Sequence, residues 1–133
     1  MKRIVLDASA LMTLFDDCPG IEKVKEWIEL AVAKEIELSM SVVNWGEVYY
    51  SIWHEYGRAA AIEVETQVAR LPIEIVDADR EHTRLAARLK AEAKLPYADS
   101  FAAALSKLRD AALATADADF DKVSDQIVLL KLP

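Results

Sequence analysis

Apolar and polar positions change period several times along the chain, and each change marks an expected element. Ile4-Val5-Leu6-Asp7-Ala8-Ser9 is an apolar run closed by one carboxylate and small residues. It reads as a buried strand with Asp7 emerging at its carboxyl end and Ser9 starting the helix Ala10 to Phe15. Asp16-Asp17-Cys18-Pro19-Gly20 is a turn, after which Ile21, Val24, Ile28, Ala31 and Val32 recur at helical spacing in a helix from Ile21 to Lys34. Ile36-Glu37-Leu38-Ser39-Met40 alternates as a strand. Val42 to Tyr56 is a helix apolar nearly all round, expected to be deeply packed or to form a subunit contact, and Gly57 ends it. Ala59 to Arg70 is helical, Pro72 breaks it, and Ile73-Glu74-Ile75-Val76 is a short strand. Ala78 to Lys94 follows as a helix with Asp77 or Asp79 as cap, stopped at Leu95-Pro96. Tyr97 to Arg109 is an alanine-rich helix, Ala111 to Thr115 a strand, and Ile127-Val128-Leu129-Leu130 the last strand. Five strands separated by helices imply an α/β fold, a central parallel sheet with helices on both faces.

Composition narrows the class. The 133 residues suit one domain, residues 1–133, long enough to bury a core, and no domain boundary is expected. Cys18 is the sole cysteine, which excludes an intramolecular disulfide and a thiolate metal site and favours a reducing compartment. Met1-Lys2-Arg3 followed by apolar residues resembles a secretory leader, but Asp7 interrupts it and no stretch is long enough to span a bilayer. A cytoplasmic chain with no membrane partner is expected. The formal charge of −7 counts against a broad basic footprint for nucleic acid. Arg80, Arg84 and Arg88 do recur every fourth residue, with Lys90 and Lys94 close by; a solvated face is the preferred account, a phosphate-binding stripe the alternative.

The chemical signal is a set of isolated acids. Asp7 is the only charge between Ile4 and Phe15, Glu47 the only one between Leu38 and His54, and Asp99 the only one between Leu95 and Ser106. Asp117 follows the fourth strand at the same edge as Asp7, with Asp119 two residues beyond. Each has an ordinary account taken singly: a turn or helix cap for Asp7, Asp117 and Asp119, helix-dipole stabilisation for Asp99. Taken together, two acids leave strands at one edge and two sit near the amino ends of helices that begin at that edge. Carboxylates crowded there repel unless a cation joins them, and an all-oxygen set suits Mg²⁺ or Mn²⁺. Such a site points to phosphoryl chemistry.

Asp7-Ala8-Ser9, Asn44 with Glu47, Tyr97-Ala98-Asp99 and Thr115-Ala116-Asp117-Ala118-Asp119-Phe120, in this order and spacing, resemble the PIN-domain ribonucleases, and the compact length is similar to that of the VapC toxins of toxin–antitoxin pairs. The resemblance implies a three-layer α/β/α sandwich around a five-stranded parallel sheet. It further implies a Mg²⁺- or Mn²⁺-dependent endoribonuclease in which Asp7, Glu47, Asp99 and Asp117 form the acidic site. Asp119 falls where the family often has another acid and is a further candidate metal ligand. Ser9, Asn44 and Thr115 would orient carboxylates or water by hydrogen bonds. The partners implied are an RNA substrate, a second copy of the chain, and a cognate antitoxin that blocks the acidic pocket, often with a basic side chain. Two other readings stay open: a binding module whose pocket receives a basic peptide, and a metal-dependent phosphatase or phosphoacceptor domain. The latter is weakened by the lack of a second Asp two residues after Asp7 and of a strand-end lysine following Thr115. His54 and His82 are read as helical-surface residues, and Trp27, Trp45 and Trp53 as core or subunit interface rather than base-stacking groups.

Overall fold

The computed structural model describes residues 2–133. The elements run β1 (Lys2–Leu6), α1 (Ala8–Phe15), α2 (Ile21–Val32), β2 (Ile36–Ser41), α3 (Val42–Tyr56), α4 (Arg58–Ala69), β3 (Ile73–Val76), α5 (Arg80–Ala93), α6 (Tyr97–Arg109), β4 (Ala112–Thr115), a 3₁₀ turn (Ala118–Val123) and β5 (Leu129–Lys131). All strand pairs are parallel, in the order β3-β2-β1-β4-β5. Consecutive strands run outward from β1 to β3, and the chain then crosses back to place β4 on the other side of β1. The β1–β4 seam is therefore the point where strand order reverses, the position at which open parallel sheets form a crevice beyond their carboxyl ends.

Both faces of the sheet are covered, which gives the three-layer sandwich. Ile4, Leu6, Leu38 and Met40 point into a core shared with α1 to α4 through Leu11, Val24, Trp27, Val48, Ile52 and Val68. Val5 and Leu113 point the other way, into a core with Leu89, Phe101, Leu105, Phe120 and Val123. This double burial explains why even Ser39, on the polar phase of the β2 alternation, is buried. α6 is buried continuously from Ser100 to Ser106, and its run Ala102-Ala103-Ala104 lets the helix backbone lie close to the sheet. At the opposite end of the sheet from the crevice, Arg109 at the end of α6 makes a two-pronged contact with Glu74 of β3 (3.1 and 2.9 Å), while Arg3 bonds Glu37 and the Arg109 carbonyl. The guanidinium holds the Glu74 carboxyl below its ordinary range.

The expected elements are all present, with shifted ends. The first helix begins at Ala8 and is capped by Asp7, not started by Ser9, because the Asp7 carboxylate accepts the Ala10 N–H at 2.8 Å. Asp79 caps α5, and the last strand is Leu129–Lys131 rather than 127–130. α3 is less enclosed than its composition suggests. Asn44, Val48 and Ile52 face the core while Tyr50, Trp53 and Tyr56 stay exposed, and a Trp45–Tyr49–Trp53 ladder runs between (5.6 and 5.9 Å between centroids). Among the described residues no helix is long and apolar enough to cross a membrane.

Candidate metal centre

The crevice is built around Asp7, which is only 2 % exposed. Its position follows from β1: Leu6 pairs with Ala114, and the next residue leaves the sheet beside the end of β4. Three donors fix its carboxylate. Oδ1 accepts from the Ser9 hydroxyl and the Ala10 N–H, both at 2.8 Å, and Oδ2 accepts from the Thr115 hydroxyl at 2.5 Å. The hydroxyls are themselves oriented, since Ser9 Oγ accepts the Ala116 N–H and Thr115 Oγ1 accepts the Asp117 N–H, both at 2.9 Å. With lone pairs occupied by backbone donors, each hydroxyl turns its proton toward Asp7. Burial nevertheless dominates, and it pushes the Asp7 carboxyl from 3.8 up to about 6, against the three hydrogen bonds and with a contribution from the Asp117 charge.

Glu47 lies one turn into α3, where Asn44 Nδ2 donates to its Oε1 at 2.9 Å and to the carbonyl of Ala98 at 3.0 Å. Asn44 is fully buried, so this amide ties α3 to the first turn of α6 and sets Glu47 beside Asp99. Asp117 caps the 3₁₀ turn by accepting the Asp119 N–H at 2.9 Å through Oδ1. Asp99, Asp117 and Asp119 each offer an oxygen within 4.8 Å of the other two. The Asp99 carboxyl stands at about 7 instead of 3.8, first because it is desolvated and then because Asp117, Glu47, Asp7 and Asp119 all repel its charge. A helix amino terminus alone would have moved an acid the other way, toward easier ionisation. Desolvation and the crowding of carboxylates both act against that preference and favour the neutral acid.

Capping and convergence coexist in this arrangement. Asp7 and Asp117 each cap a turn as an isolated acid would, yet both do so through Oδ1, which leaves Oδ2 free of backbone donors. The donor set fits a small hard cation. Three carboxylate oxygens within 4.8 Å of one another, with no nitrogen or sulfur among them, are a donor set of the kind Mg²⁺ or Mn²⁺ takes. Asn44 Oδ1 is buried without a partner among the described residues, a spare acceptor beside Glu47 suited to an ordered water. Asp119, the further candidate of the sequence, is in the close trio. Asp7 and Glu47 lie outside it and act on Asp99 through charge.

His82 departs from the sequence expectation: it is buried rather than on the helical surface. Its Nε2 donates to the Phe101 carbonyl at 2.9 Å and its ring meets Phe101 edge-on, because α5 packs this face against α6. His54 is exposed, as are Arg80, Arg84 and Arg88, the last 4.0 Å from Glu92. Trp27 is core, Trp45 half-buried and Trp53 exposed. The backbone partners of the site, Ala10 N–H and the Ala98 carbonyl, carried no signal in the sequence because every residue has a carbonyl and nearly every one an N–H.

No curated protein sequence matches the chain significantly. In solved structures, the fold is similar to that of VapBC2 from Rickettsia felis bound to a promoter DNA fragment (TM-score 0.78, 16 % identity, covering 98 % of this chain and 99 % of that one). It is similar to DNA-bound VapBC from Salmonella typhimurium (0.76, 17 %, 98 % of each chain). It is also similar to Mycobacterium tuberculosis VapC20, a sarcin–ricin loop cleaving toxin (0.71, 14 %, 94 % and 96 %). The sequence profile of the PIN domain matches residues 4–126, nearly the whole length and every acid of the switch-point crevice, and the chain belongs to the PIN domain family.

Proposed function

We propose that this chain is a divalent-metal-dependent endoribonuclease and the toxin of a toxin–antitoxin pair, with Asp7, Glu47, Asp99, Asp117 and Asp119 holding Mg²⁺ or Mn²⁺. The observation that carries this reading is the convergence of Asp99, Asp117 and Asp119 within 4.8 Å, under the repulsion of Asp7 and Glu47. Bound there, such an ion supplies an acidified water and neutralises charge on a phosphoryl oxygen. The chain's own residues do the rest. Ser9, Thr115 and the Ala10 N–H immobilise Asp7 and leave Oδ2, with a single donor, the better able to face a cation. Asn44 holds Glu47 at a fixed distance from the α6 terminus. Asp99, whose carboxyl is raised to about 7 by burial and by its acidic neighbours, would hold the ion in competition with a proton.

RNA in an unpaired loop is the proposed substrate, since splayed nucleotides enter a compact pocket where a duplex does not; VapC20 is a toxin that cleaves the sarcin–ricin loop. The VapBC neighbours support a protein antitoxin as partner, and the acidity of the crevice suits one that presents a basic side chain to it. The exposed Tyr50, Trp53 and Tyr56 of α3 are the proposed contact with a second copy. The test is to incubate purified wild type, Asp7→Asn and Asp99→Asn with structured RNA and Mn²⁺. Cleavage by wild type alone is expected; equal cleavage by all three folded proteins sinks the assignment. Calorimetry showing no divalent uptake at millimolar concentration would point instead to a module that binds a basic partner.

A further inference from the structure

A chain of net charge −7 with an acidic crevice repels the polyanion it is proposed to cut, so the strand needs a local positive edge. Cations are unevenly compensated on this surface. Arg3, Lys23, Arg88, Arg109 and Lys131 each have a carboxylate partner. Of the cations without such a partner among the described residues, Lys90, Lys94 and Lys122 are the ones that gather at the loop that leads into α6 and Asp99. Lys122 Nζ donates to the Lys94 carbonyl at 3.4 Å, and Lys90 Nζ donates to the Leu95 carbonyl at 3.1 Å. A bond to a carbonyl leaves an ammonium its full charge and two further donors. Lys122 is three residues beyond Asp119 on the 3₁₀ turn. With three residues per turn and a 2 Å rise, it lies on the same side of the turn as Asp119, about 6 Å along. Three residues beyond Lys94 in the same loop, Tyr97 is 50 % exposed, its ring held edge-on by Phe101 at 5.0 Å and 85°.

We propose that Lys94, Lys122 and Tyr97 form a docking rim for the RNA strand: the ammonium groups take the phosphate next to the scissile one, and the Tyr97 ring stacks on an unpaired base. This rests on the nuclease reading above. Ammonium groups without a carboxylate partner and a pinned, half-exposed ring three residues along the same loop are the combination that single-stranded nucleic acid uses. A basic protein segment, drawn to the crevice, is repelled by the same rim. The rim thus favours RNA over a basic peptide at this edge.

The experiment is fluorescence anisotropy of a short labelled unpaired RNA, titrated with the full chain in Ca²⁺ across a range of salt. The Lys94→Ala/Lys122→Ala double variant is expected to bind roughly tenfold more weakly, and its plot of log affinity against log salt should be flatter by about 0.7 per phosphate no longer neutralised. Tyr97→Ala is expected to weaken binding about ten- to hundredfold and Tyr97→Phe to restore it. Circular dichroism checks that these surface variants are folded, and Lys122→Glu, a charge reversal, should lower affinity further. Unchanged affinity and slope in the lysine variants overturn the rim, as does wild type that does not bind. Cleavage is scored separately with Mn²⁺: binding through the rim without cleavage defeats the nuclease reading alone, whereas cleavage with rim variants that bind like wild type defeats the rim alone.

Discussion

At the scale of single residues the site is a balance between burial and charge at Asp7 and Asp99. Their carboxyls stand at about 6 and about 7 against 3.8, so the folded metal-free chain holds protons more tightly than the unfolded one in that interval. The stability these groups contribute is fully present below about pH 4 and is lost as pH rises through 6 to 7. For the deeply buried Asp7 the loss is on the order of 3 kcal/mol. Denaturant melts in EDTA should therefore show wild type weaker at pH 8 than at pH 5, with Asp7→Asn removing much of the decline; a wild-type stability that rises over that range contradicts the burial argument. Thr115→Val deletes a donor to Asp7 Oδ2 and the acceptor for the Asp117 N–H. It should cost about 1–3 kcal/mol by urea titration and lower Mn²⁺ affinity roughly 10–100-fold by calorimetry, with Thr115→Ser recovering most of both. Asp7, Glu47 and Asp99 stood out in the sequence because each is alone in an apolar stretch, whereas Asp117 and Asp119 stood out only by their place after the fourth strand. His82 was not, since a polar residue on a charged helix looks the same whether that turn faces water or the Phe101 carbonyl.

At the scale of elements the decisive feature is how closely α6 lies on the sheet. Ala102, Ala103 and Ala104 are fully buried, and the helix carries Asp99 at its first turn. Ala103→Leu should cost about 1–3 kcal/mol through overpacking and, by moving the amino end of α6, weaken metal uptake as well as stability. Calorimetry and melts on the same sample read both, and a drop in stability without any change in Mn²⁺ affinity would detach Asp99 from α6 packing. At the far end the Arg109–Glu74 pair is a weaker device. Both side chains are substantially solvent-exposed, so Arg109→Ala should cost under about 1 kcal/mol, and less in high salt. Helix existence and order were readable from apolar period; the ends were not. Asp7 and Ser9 are both good caps two positions apart. The choice between them depends on the backbone turn after β1, which follows from β1 pairing with β4.

At the scale of the whole molecule, two consequences follow from exposed aromatic surface and net charge. Tyr50→Glu combined with Trp53→Glu should convert a self-associated species to single chains in sedimentation velocity, because both residues present exposed aromatic surface on one face of α3. An unchanged sedimentation profile would rule out this face of α3 as the contact. Adding Mn²⁺ at pH 8 should raise the melting temperature, and more than at pH 5, because protons on Asp7 and Asp99 compete with the ion; an equal rise at both pH values would argue against binding at these acids. The sequence by itself determined the alternation of strand and helix, the parallel sheet it implies, and which carboxylates are too isolated among apolar neighbours to be surface decoration. These are properties of local period and local charge, readable within a window of a few turns. Only the tertiary structure decided that β4 sits beside β1, that Asp99, Asp117 and Asp119 come within 4.8 Å, and that backbone groups of Ala10 and Ala98 complete the site. Those contacts join residues up to 108 positions apart, as Thr115 and Asp7 are, and depend on strand order and helix approach, which no local pattern encodes.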